Sequence, residues 1–284
     1  MRGWSWGLLV AAPVLGGVPA HASTSESIPT IAIIIDDLGE QKIAGDRAIR
    51  LPGPVACAFL PHTQFGPEQA TRAHAQGKEI LLHLPLQPGA TARAYPTAIT
   101  LQTGHAEMDA YVRSALESVP FAIGVNNHQG SLLTETPMHM DWLMTELKSL
   151  GGLYFVDSRT STNSVAFRMA RARGVPAAER SIFLDDTPTE PAIRSQLDLL
   201  IAHARRNGRA LAIGHPYSQT LKVLEAALPR LAAEGIQLVS PSELIRLQAG
   251  GKQAYRQLKI SLDLNRWSRT PGPGSQGSTS AGAH

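Results

Sequence analysis

Through the middle of the chain, short apolar segments rich in β-branched residues alternate with longer amphipathic segments. The apolar segments are residues 31–35, 55–60, 79–84, 121–125, 153–156, 182–184, 210–213 and 236–239. Helical periodicity is clearest in residues 138–150, 191–206 and 219–234. A strand followed by a helix, repeated in this way, predicts βαβ units and a parallel sheet. Because the predicted strands are nearly continuous apolar runs, the pattern indicates a β/α barrel or a doubly wound sheet.

Polar residues that could carry chemistry follow the ends of these predicted strands. They are Asp36, Asp37, His83, Asn126, Asn127, His128, Asp157, Asp185, Asp186 and His215. In parallel α/β folds the carboxyl ends of the strands form one face, where active sites lie. We therefore expect these residues, which are far apart in the sequence, to converge in space.

The pair Asp36-Asp37 directly follows an apolar run. Two adjacent carboxylates are costly to crowd together unless a cation or a proton lies between them. Side chains alternate along a strand, so both carboxylates can reach one site only if the strand already bends there. The pattern favours one metal ligand and one general base; the alternative is a helix N-cap beside a solvated acid.

Three histidines lie in or just after predicted strands. His83 is inside an apolar run, where a histidine is more often a core residue, whereas His128 lies in a polar strand exit and His215 ends a strand. An aspartate with two imidazoles leaves coordination positions open, as a hydrolytic Zn²⁺ site requires. The chain contains no His-Glu-x-x-His, Gly-x-Ser-x-Gly or glycine-rich phosphate-binding motif. These absences argue against zinc proteases of that class, serine hydrolases with a nucleophile elbow, and phosphate-bearing cofactors.

Composition limits the remaining classes. The chain has 284 residues, of which 43% are hydrophobic and 17% charged, so a sizeable core is possible. The net charge of +3 is small and scattered, which argues against a nucleic-acid partner. Cys57 is the only cysteine, so no internal disulfide can form, and its apolar neighbours indicate a small core residue.

The two ends of the chain differ from its middle. Residues 1–22 combine a basic start, a short apolar run and Ala20-His21-Ala22, which is typical of a signal peptide cleaved before Ser23; an uncleaved anchor is the alternative. We expect an exported, periplasmic protein with no membrane span after cleavage. Residues 23–29 form a short linker and 30–248 one domain. Residues 249–284 form a C-terminal extension, which we expect to be disordered from about residue 269 because Pro, Gly, Ser, Thr and Ala dominate there.

Six segments together resemble the divergent polysaccharide deacetylase family, a branch related to the NodB-type carbohydrate esterases. They are Ile-Ile-Asp-Asp-Leu-Gly (34–39), Glu-Ile-Leu-Leu-His-Leu-Pro-Leu-Gln-Pro (79–88), Gly-Val-Asn-Asn-His-Gln-Gly-Ser (124–131), Phe-Val-Asp-Ser-Arg-Thr (155–160), Phe-Leu-Asp-Asp (183–186) and Ile-Gly-His-Pro (213–216). The resemblance covers most of residues 30–246. It implies a single-domain α/β fold, a distorted (β/α) barrel of the NodB type.

The resemblance also implies roles for individual residues. Asp36 is the base and His215 the acid, while Asp37, His83 and His128 bind a divalent metal, for which Zn²⁺ is the expected ion. Two departures from the usual pattern stand out. Gln87 stands four residues after His83, where the family's His-x-x-x-His motif has its second histidine, and residues 126–131 replace an Arg-x-Pro-Tyr segment.

The expected reaction is metal-assisted removal of N-acetyl groups from an envelope carbohydrate. Asn126 and Asn127 are expected to donate to the oxyanion or to sugar hydroxyls, and Asp157, Arg159 and Asp186 to orient groups or stabilise developing charge. The alternative is a binding protein that kept the pocket but lost turnover and acts as an envelope partner, which the missing second histidine favours. A third reading is an amidase or esterase acting on a peptide or small molecule. The aromatic content of 5% argues against tight binding of sugars by stacking.

Overall fold

The computed structural model describes residues 28–250, together with residues 1 and 3. Its strands are β1 (Thr30–Leu38), β2 (Ala56–Phe59), β3 (Ile80–Leu86), β4 (Ala122–Gln129), β5 (Tyr154–Asp157), β6 (Ala177–Glu179), β7 (Ile182–Phe183), β8 (Arg209–Gly214) and β9 (Gln237–Leu238). Its helices are α1 (Lys42–Ile49), α2 (Gly66–Ala75), α3 (His105–Ser118), α4 (Pro137–Leu150), α5 (Ala166–Ala172), α6 (Glu190–Asn207), α7 (Ser218–Ala227) and α8 (Pro241–Gln248), with short 3-10 turns at Leu133–Glu135 and Leu228–Arg230.

All strand pairs run parallel, in the order β6-β5-β4-β3-β2-β1-β8-β7, and β9 pairs with the start of β1. The two ends of this sheet are consecutive in the chain. Arg180 N–H donates to the Asp157 carbonyl at the end of β5 (2.9 Å), and Ser181 N–H donates to the Leu211 carbonyl in β8 (2.7 Å). These two bonds draw the sheet edges together, so the architecture is a barrel with an irregular seam. The predicted distorted (β/α) barrel is confirmed.

Alternate residues of each strand face different cores. One apolar cluster fills the inside of the barrel, and its members include Ala32, Ile34, Ala58, Leu81, Tyr154, Val156, Leu211 and Ile213. A larger cluster, which includes Ile33 and Ile35, lies between the strands and the outer helices. Gly124 faces inward beside the Tyr154 ring, whose nearest atom is 2.4 Å from where a Cβ would stand. Any larger residue at this position would therefore displace the ring.

The helix ends follow local rules of sequence. Pro137 and Pro191 stand in the first turns of α4 and α6, where a missing N–H costs no helical hydrogen bond. Both helices end at glycines with positive φ, Gly151 (67°) and Gly208 (80°). These signals explain why α4 and α6 lie within a residue or two of their predicted positions.

The amino ends of the strands are closed by α8. Leu244 and Ile245 of this helix, with Val239 before it, belong to the cluster inside the barrel. At the same end, Glu79 accepts hydrogen bonds from the Tyr154 hydroxyl (3.0 Å) and from the N–H (3.1 Å) and hydroxyl of Ser242. The barrel is thus plugged at this end.

Each of the eight predicted strands is present, but β6 was missed because Ala-Ala-Glu is too short to show a pattern. The predicted helix 219–234 was too long. It ends at Ala227, and Pro229, which has no N–H to donate, lies in the 3-10 turn that follows.

Cys57 is fully buried, as expected. Within the described part of the chain, no helix has both the length and the apolarity to span a membrane. Nearly all of the predicted signal peptide, most of the linker and nearly all of the C-terminal extension lie outside the described residues.

Candidate metal centre and active site

Side chains alternate along each β-strand, and this alternation places several polar side chains at the carboxyl end of the barrel. In β1, Asp36 follows the inward-facing Ile34, and in β3, His83 follows the inward-facing Leu81. The parallel register pairs His83 with Asn126 and Pro85 with His128. Since paired residues in a parallel sheet face the same side, the next strand contributes its own polar groups to this site.

Asp37 should point outward by the same rule, but its backbone is left-handed, with φ 55°. The register between β1 and β2 also shifts between Ile35 and Leu38. Aspartate tolerates this conformation better than most residues. The bend turns Asp37 back toward the barrel mouth, so that both carboxylates of the pair reach one site.

Three potential ligand atoms converge there. Asp37 Oδ1 lies 2.9 Å from His128 Nδ1 and 3.2 Å from His83 Nε2, and the two nitrogens are 3.2 Å apart. Asp37 Oδ1 is buried, and no aligned hydrogen bond satisfies it. Ligand bonds of the length typical of Zn²⁺ in tetrahedral geometry would separate ligand atoms by about 3.3 Å. The residues present therefore fit a divalent ion. Within the described residues, no other group of three or more His, Cys, Asp or Glu side chains brings its ligand atoms this close together.

Asn126 selects the tautomer of His83. Its Nδ2 donates to Asp36 Oδ1 (2.8 Å), so its Oδ1 is the atom that faces His83 Nδ1 (3.0 Å) and must accept a hydrogen bond from the Nδ1–H of that ring. His83 Nε2 then presents its lone pair to Asp37 and His128. This arrangement prepares His83 as a metal ligand.

Asp36 and Asp37 differ electrostatically although they are adjacent. Burial raises the pKa of Asp36 above its usual value, against the opposing influence of His83 and His215. Burial also works against charge on Asp37, but the His128 and His83 imidazoles outweigh it and hold the pKa of Asp37 well below its usual range. Asp37 is thus the permanent anion, and Asp36 the group better suited to accept a proton.

His215 reaches the same site from the opposite side of Asp37, its Nε2 3.7 Å from Asp37 Oδ2. Its Nδ1 lies 3.0 Å from Asp185 Oδ1, while its backbone N–H (2.6 Å) and the Thr220 hydroxyl (2.7 Å) donate to Asp185 Oδ2. Burial lowers the pKa of His215, but the bond to Asp185 and the charges of Asp37 and Asp36 outweigh it and raise this pKa to about 9. An imidazole held in this way can donate a proton from Nε2.

The carboxylate that orients His215 is Asp185, which was among the predicted strand-end residues but had no predicted role, and not Asp186. Asp185 is buried against His215, whereas Asp186 is exposed. The signal that could have found Asp185 is its place directly after the apolar residues 182–184. A contact between Asp186 and substrate stays a prediction.

Two further predicted site residues make hydrogen bonds within the fold. Asn127 was expected to bind substrate, but its amide donates to the Gln129 carbonyl (2.7 Å) and accepts from Ser158 N–H (2.9 Å), which leaves it buried and engaged. Asp157 was expected to stabilise charge at the site. It instead accepts bonds from Arg159 N–H, the Ser164 hydroxyl and Phe167 N–H, so it organises the loop that leads into α5.

Arg159 also points away from the three converging ligands. Its guanidinium lies 3.4 Å from Glu179 Oε2 and 3.4 Å from the Thr162 carbonyl. These contacts do not place the guanidinium where it would stabilise charge at the reaction centre.

Gln87 does not replace the histidine that the family motif has at this position. Its Oε1 accepts a hydrogen bond from Leu101 N–H (2.8 Å) and so fixes the loop after β3. The additional imidazole comes instead from the neighbouring strand, as His128. The two histidines are therefore neighbours in space although they are not neighbours in the sequence.

The chain is similar in sequence to one protein family and to several known proteins. The sequence profile of a family described as divergent polysaccharide deacetylase matches residues 33–245. The uncharacterized protein YibQ of Escherichia coli K12 is 36% identical over 238 residues, which cover 84% of this chain and 70% of that protein. An uncharacterized protein of Haemophilus influenzae is 36% identical over 226 residues, covering 80% of each.

Among solved structures, an uncharacterized protein from Agrobacterium tumefaciens C58 superposes with a TM-score of 0.72. Its sequence identity is 24%, and the match covers 76% of this chain and 88% of that one. At this level of identity the similarity establishes the fold.

Proposed function

Because the chain belongs to the divergent polysaccharide deacetylase family, we propose that it removes N-acetyl groups from an envelope glycan by metal-assisted hydrolysis. One observation carries the proposal. Three ligand atoms, one each from Asp37, His83 and His128, converge, and the Asp37 oxygen among them is buried without an aligned hydrogen bond, with Asp36 and His215 beside it.

Asp37, His83 and His128 would hold the ion. A site with two imidazoles favours Zn²⁺ over Mg²⁺ or Ca²⁺. When bound, such an ion supplies a Lewis acid that polarises the acetyl carbonyl and lowers the pKa of water.

Proton transfers fall to Asp36 and His215. The Asn126 amide occupies Asp36 Oδ1, which leaves Oδ2 on the side of His83, 3.5 Å from its Nε2. Asp36 accepts the proton of the attacking water, and His215 donates its Nε2 proton to the leaving nitrogen. The C–N bond breaks, acetate leaves, and the sugar keeps a free amine.

The second candidate is a glycan-binding protein without turnover. It is favoured by Gln87, which stands where the family motif has a histidine and is committed to the Leu101 N–H. The two candidates differ in acetate release from the metal-loaded protein, so measuring bound metal and acetate release together separates them.

The test is to strip the purified protein of metal, resupply Zn²⁺, and measure bound metal and acetate release from N-acetylated glycan fragments. We expect one ion per chain and metal-dependent release. His203→Ala, on the outer helix α6, is the matched control and should behave like wild type. Bound metal without release would favour the binding protein. Release from acetylated peptides but not from glycans would favour an amidase or esterase, and no metal after resupply would contradict the centre.

We also propose that the protein is exported to the periplasm. The support is the basic start, the apolar run and the Ala20-His21-Ala22 site at the amino terminus. Amino-terminal sequencing of protein from the envelope fraction should begin at Ser23. An intact Met1 in a cytoplasmic fraction would contradict the proposal.

A further inference from the structure

A groove of about 390 Å³ lies at the amino end of the barrel, whereas the candidate centre lies at the carboxyl end. The last turns of α4, α5 and α8 meet there, beside the loops that lead into β5 and β6. The apolar part of its lining includes Leu147, Leu153, Phe167, Val175 and Ile245. Pockets that bind ligands typically enclose about 300–1,000 Å³. The groove is therefore large enough to take apolar groups from elsewhere.

Three basic side chains line this groove, one from each helix: Lys148, Arg171 and Arg246. Cations in the last turn of a helix complement its dipole, so their presence alone does not indicate a ligand. Lys148 donates to a backbone carbonyl in the loop before β6, and Arg246 pairs with Glu243. The Arg171 guanidinium lies over the Phe167 ring, 5.8 Å from its centroid, and forms no ion pair with any described residue. Arg171 can therefore accept an acidic partner.

The described part of the chain ends at this groove. Gln248 and Ala249, which follow the last turn of α8, belong to its lining, and Gly250 is the last described residue. An extended chain spans up to about 3.3–3.6 Å per residue, so the residues soon after Gly250 can reach any part of the groove. Because they are tethered beside it, their effective concentration there is high.

The sequence after Gly250 contains a segment that suits an apolar groove. Residues 257–264 read Gln-Leu-Lys-Ile-Ser-Leu-Asp-Leu, so every second residue is apolar. In an extended segment this spacing puts the apolar residues on one face. They are Leu258, Ile260, Leu262 and Leu264. A contiguous apolar face is typical of a surface that binds a partner. Asp263, between two of these residues, is the only acidic side chain in residues 251–284.

We propose that residues 258–264 bind in this groove of their own chain, with the apolar face on the groove lining and Asp263 beside Arg171. The proposal goes beyond the proposed function and does not depend on it. Burial of apolar surface drives the binding, and the short tether lowers its entropic cost. The competing occupants are the same segment of a second copy and an anionic amphiphile attracted by the basic side chains.

A nitroxide label in the full-length protein tests where the segment lies. Ser261→Cys puts the label on the polar face. The native Cys57 should not react, because it is fully buried and burial raises the pKa of its thiol to about 12. We expect the methyl NMR signals of Leu153 and Val175 to lose most of their intensity. The signal of Ile43 should keep its intensity, since α1 packs on α2 and α7, away from the groove.

Variants of the labelled protein distinguish binding by the apolar face from mere tethering. The triple change Leu258→Ser, Ile260→Ser and Leu262→Ser removes most of that face and should restore the groove signals. Lys259→Ser, on the polar face, is the matched control and should leave them broadened. Arg171→Glu puts a like charge beside the acidic residue of the segment. It should restore the signals only in part, because an exposed ion pair contributes little.

The outcomes separate the possible occupants. Unbroadened groove signals in the labelled protein, or broadening that the triple variant retains, would overturn the proposal. Broadening that appears only when the label and the observed methyl groups are on different chains would assign the groove to a second copy. Groove signals that are unaffected by the label but shift with decanoate and not with decanol would assign it to an anionic amphiphile. The urea unfolding midpoint of each variant reports whether the barrel is intact, and acetate release should equal that of wild type throughout.

Discussion

The two ends of the barrel both contain partly buried carboxylates, but the oxygens of these carboxylates are satisfied in opposite ways. At the amino end, the Glu79 oxygens accept hydrogen bonds from Tyr154 and Ser242. At the carboxyl end, Asp37 Oδ1 is buried between two imidazoles with no aligned hydrogen bond. A buried acceptor without a donor is costly, whereas a satisfied one is not. The contrast indicates that the carboxylate at the amino end stabilises the fold, whereas the carboxylate at the carboxyl end is suited to bind a cation.

The same contrast separates residues within the carboxyl end. Asn127 and Asp157 are saturated by backbone and hydroxyl donors, and they shape loops. Asp36 and His215 each keep one atom directed toward the centre, with the other atom fixed by Asn126 or Asp185. Residues with one atom anchored and one atom directed at the centre are the ones suited to chemistry.

The largest effect is expected from the metal ligands. Asp37→Asn and His128→Ala should each lose most bound Zn²⁺, because each removes one of three protein ligands, and acetate release should fall to background. Metal analysis beside the acetate assay checks both. Retention of stoichiometric metal by either variant would show that the ion is held elsewhere.

The next largest effect is expected from Asp36→Asn. The amide oxygen can still accept the Asn126 hydrogen bond, so the fold and the metal should remain, but the base is lost. The rate should fall by about 10²–10⁴-fold. Metal loss in this variant but not in Asp37→Asn would mean that the two aspartates have exchanged roles.

A smaller effect is expected from Asp185→Asn, which acts on the reaction only through His215. The amide cannot accept from His215 Nδ1, from its backbone N–H and from the Thr220 hydroxyl all at once. A misplaced imidazole should lower kcat by up to about 10²-fold. Bound Zn²⁺ and KM should not change. Thr220→Val, which removes one donor and keeps the carboxylate, is the matched control and should be milder.

Much of this site follows from strand periodicity. Period-2 alternation and the rule that parallel strands end at one face are enough to bring Asp36, His83, His128 and His215 together. The left-handed backbone of Asp37 and the choice of Asp185 over its neighbour depend instead on how loops turn after each strand. Such turns are fixed by hydrogen bonds between residues far apart in the sequence, which no local pattern reveals.

The seam of the barrel is a second feature that local sequence patterns do not reveal. β6 and β7 are short, and their neighbours are decided by backbone bonds from Arg180 and Ser181 to opposite edges of the sheet. The apolar pattern left a barrel and a doubly wound sheet as equal alternatives, and the family resemblance was needed to favour the barrel. Closure of the barrel depends on contacts between strands that are far apart in the sequence, so the short segment at the seam shows no distinctive local pattern.

The smallest effect, and the one that tests the amino end, is expected from Tyr154→Phe. The ring, which is fully buried against Gly124, is kept, and only the hydroxyl that donates to Glu79 is removed. Glu79 Oε2 still accepts from Ser242 N–H, so no carboxylate oxygen is left without a donor. The free energy of unfolding, measured in urea, should therefore fall by only about 0.5–1.5 kcal/mol. Acetate release and metal content should equal those of wild type, because Glu79 and α8 lie at the closed end of the barrel. A loss of activity without a loss of stability would mean that the amino end takes part in the reaction, and the contrast between the two ends would fail.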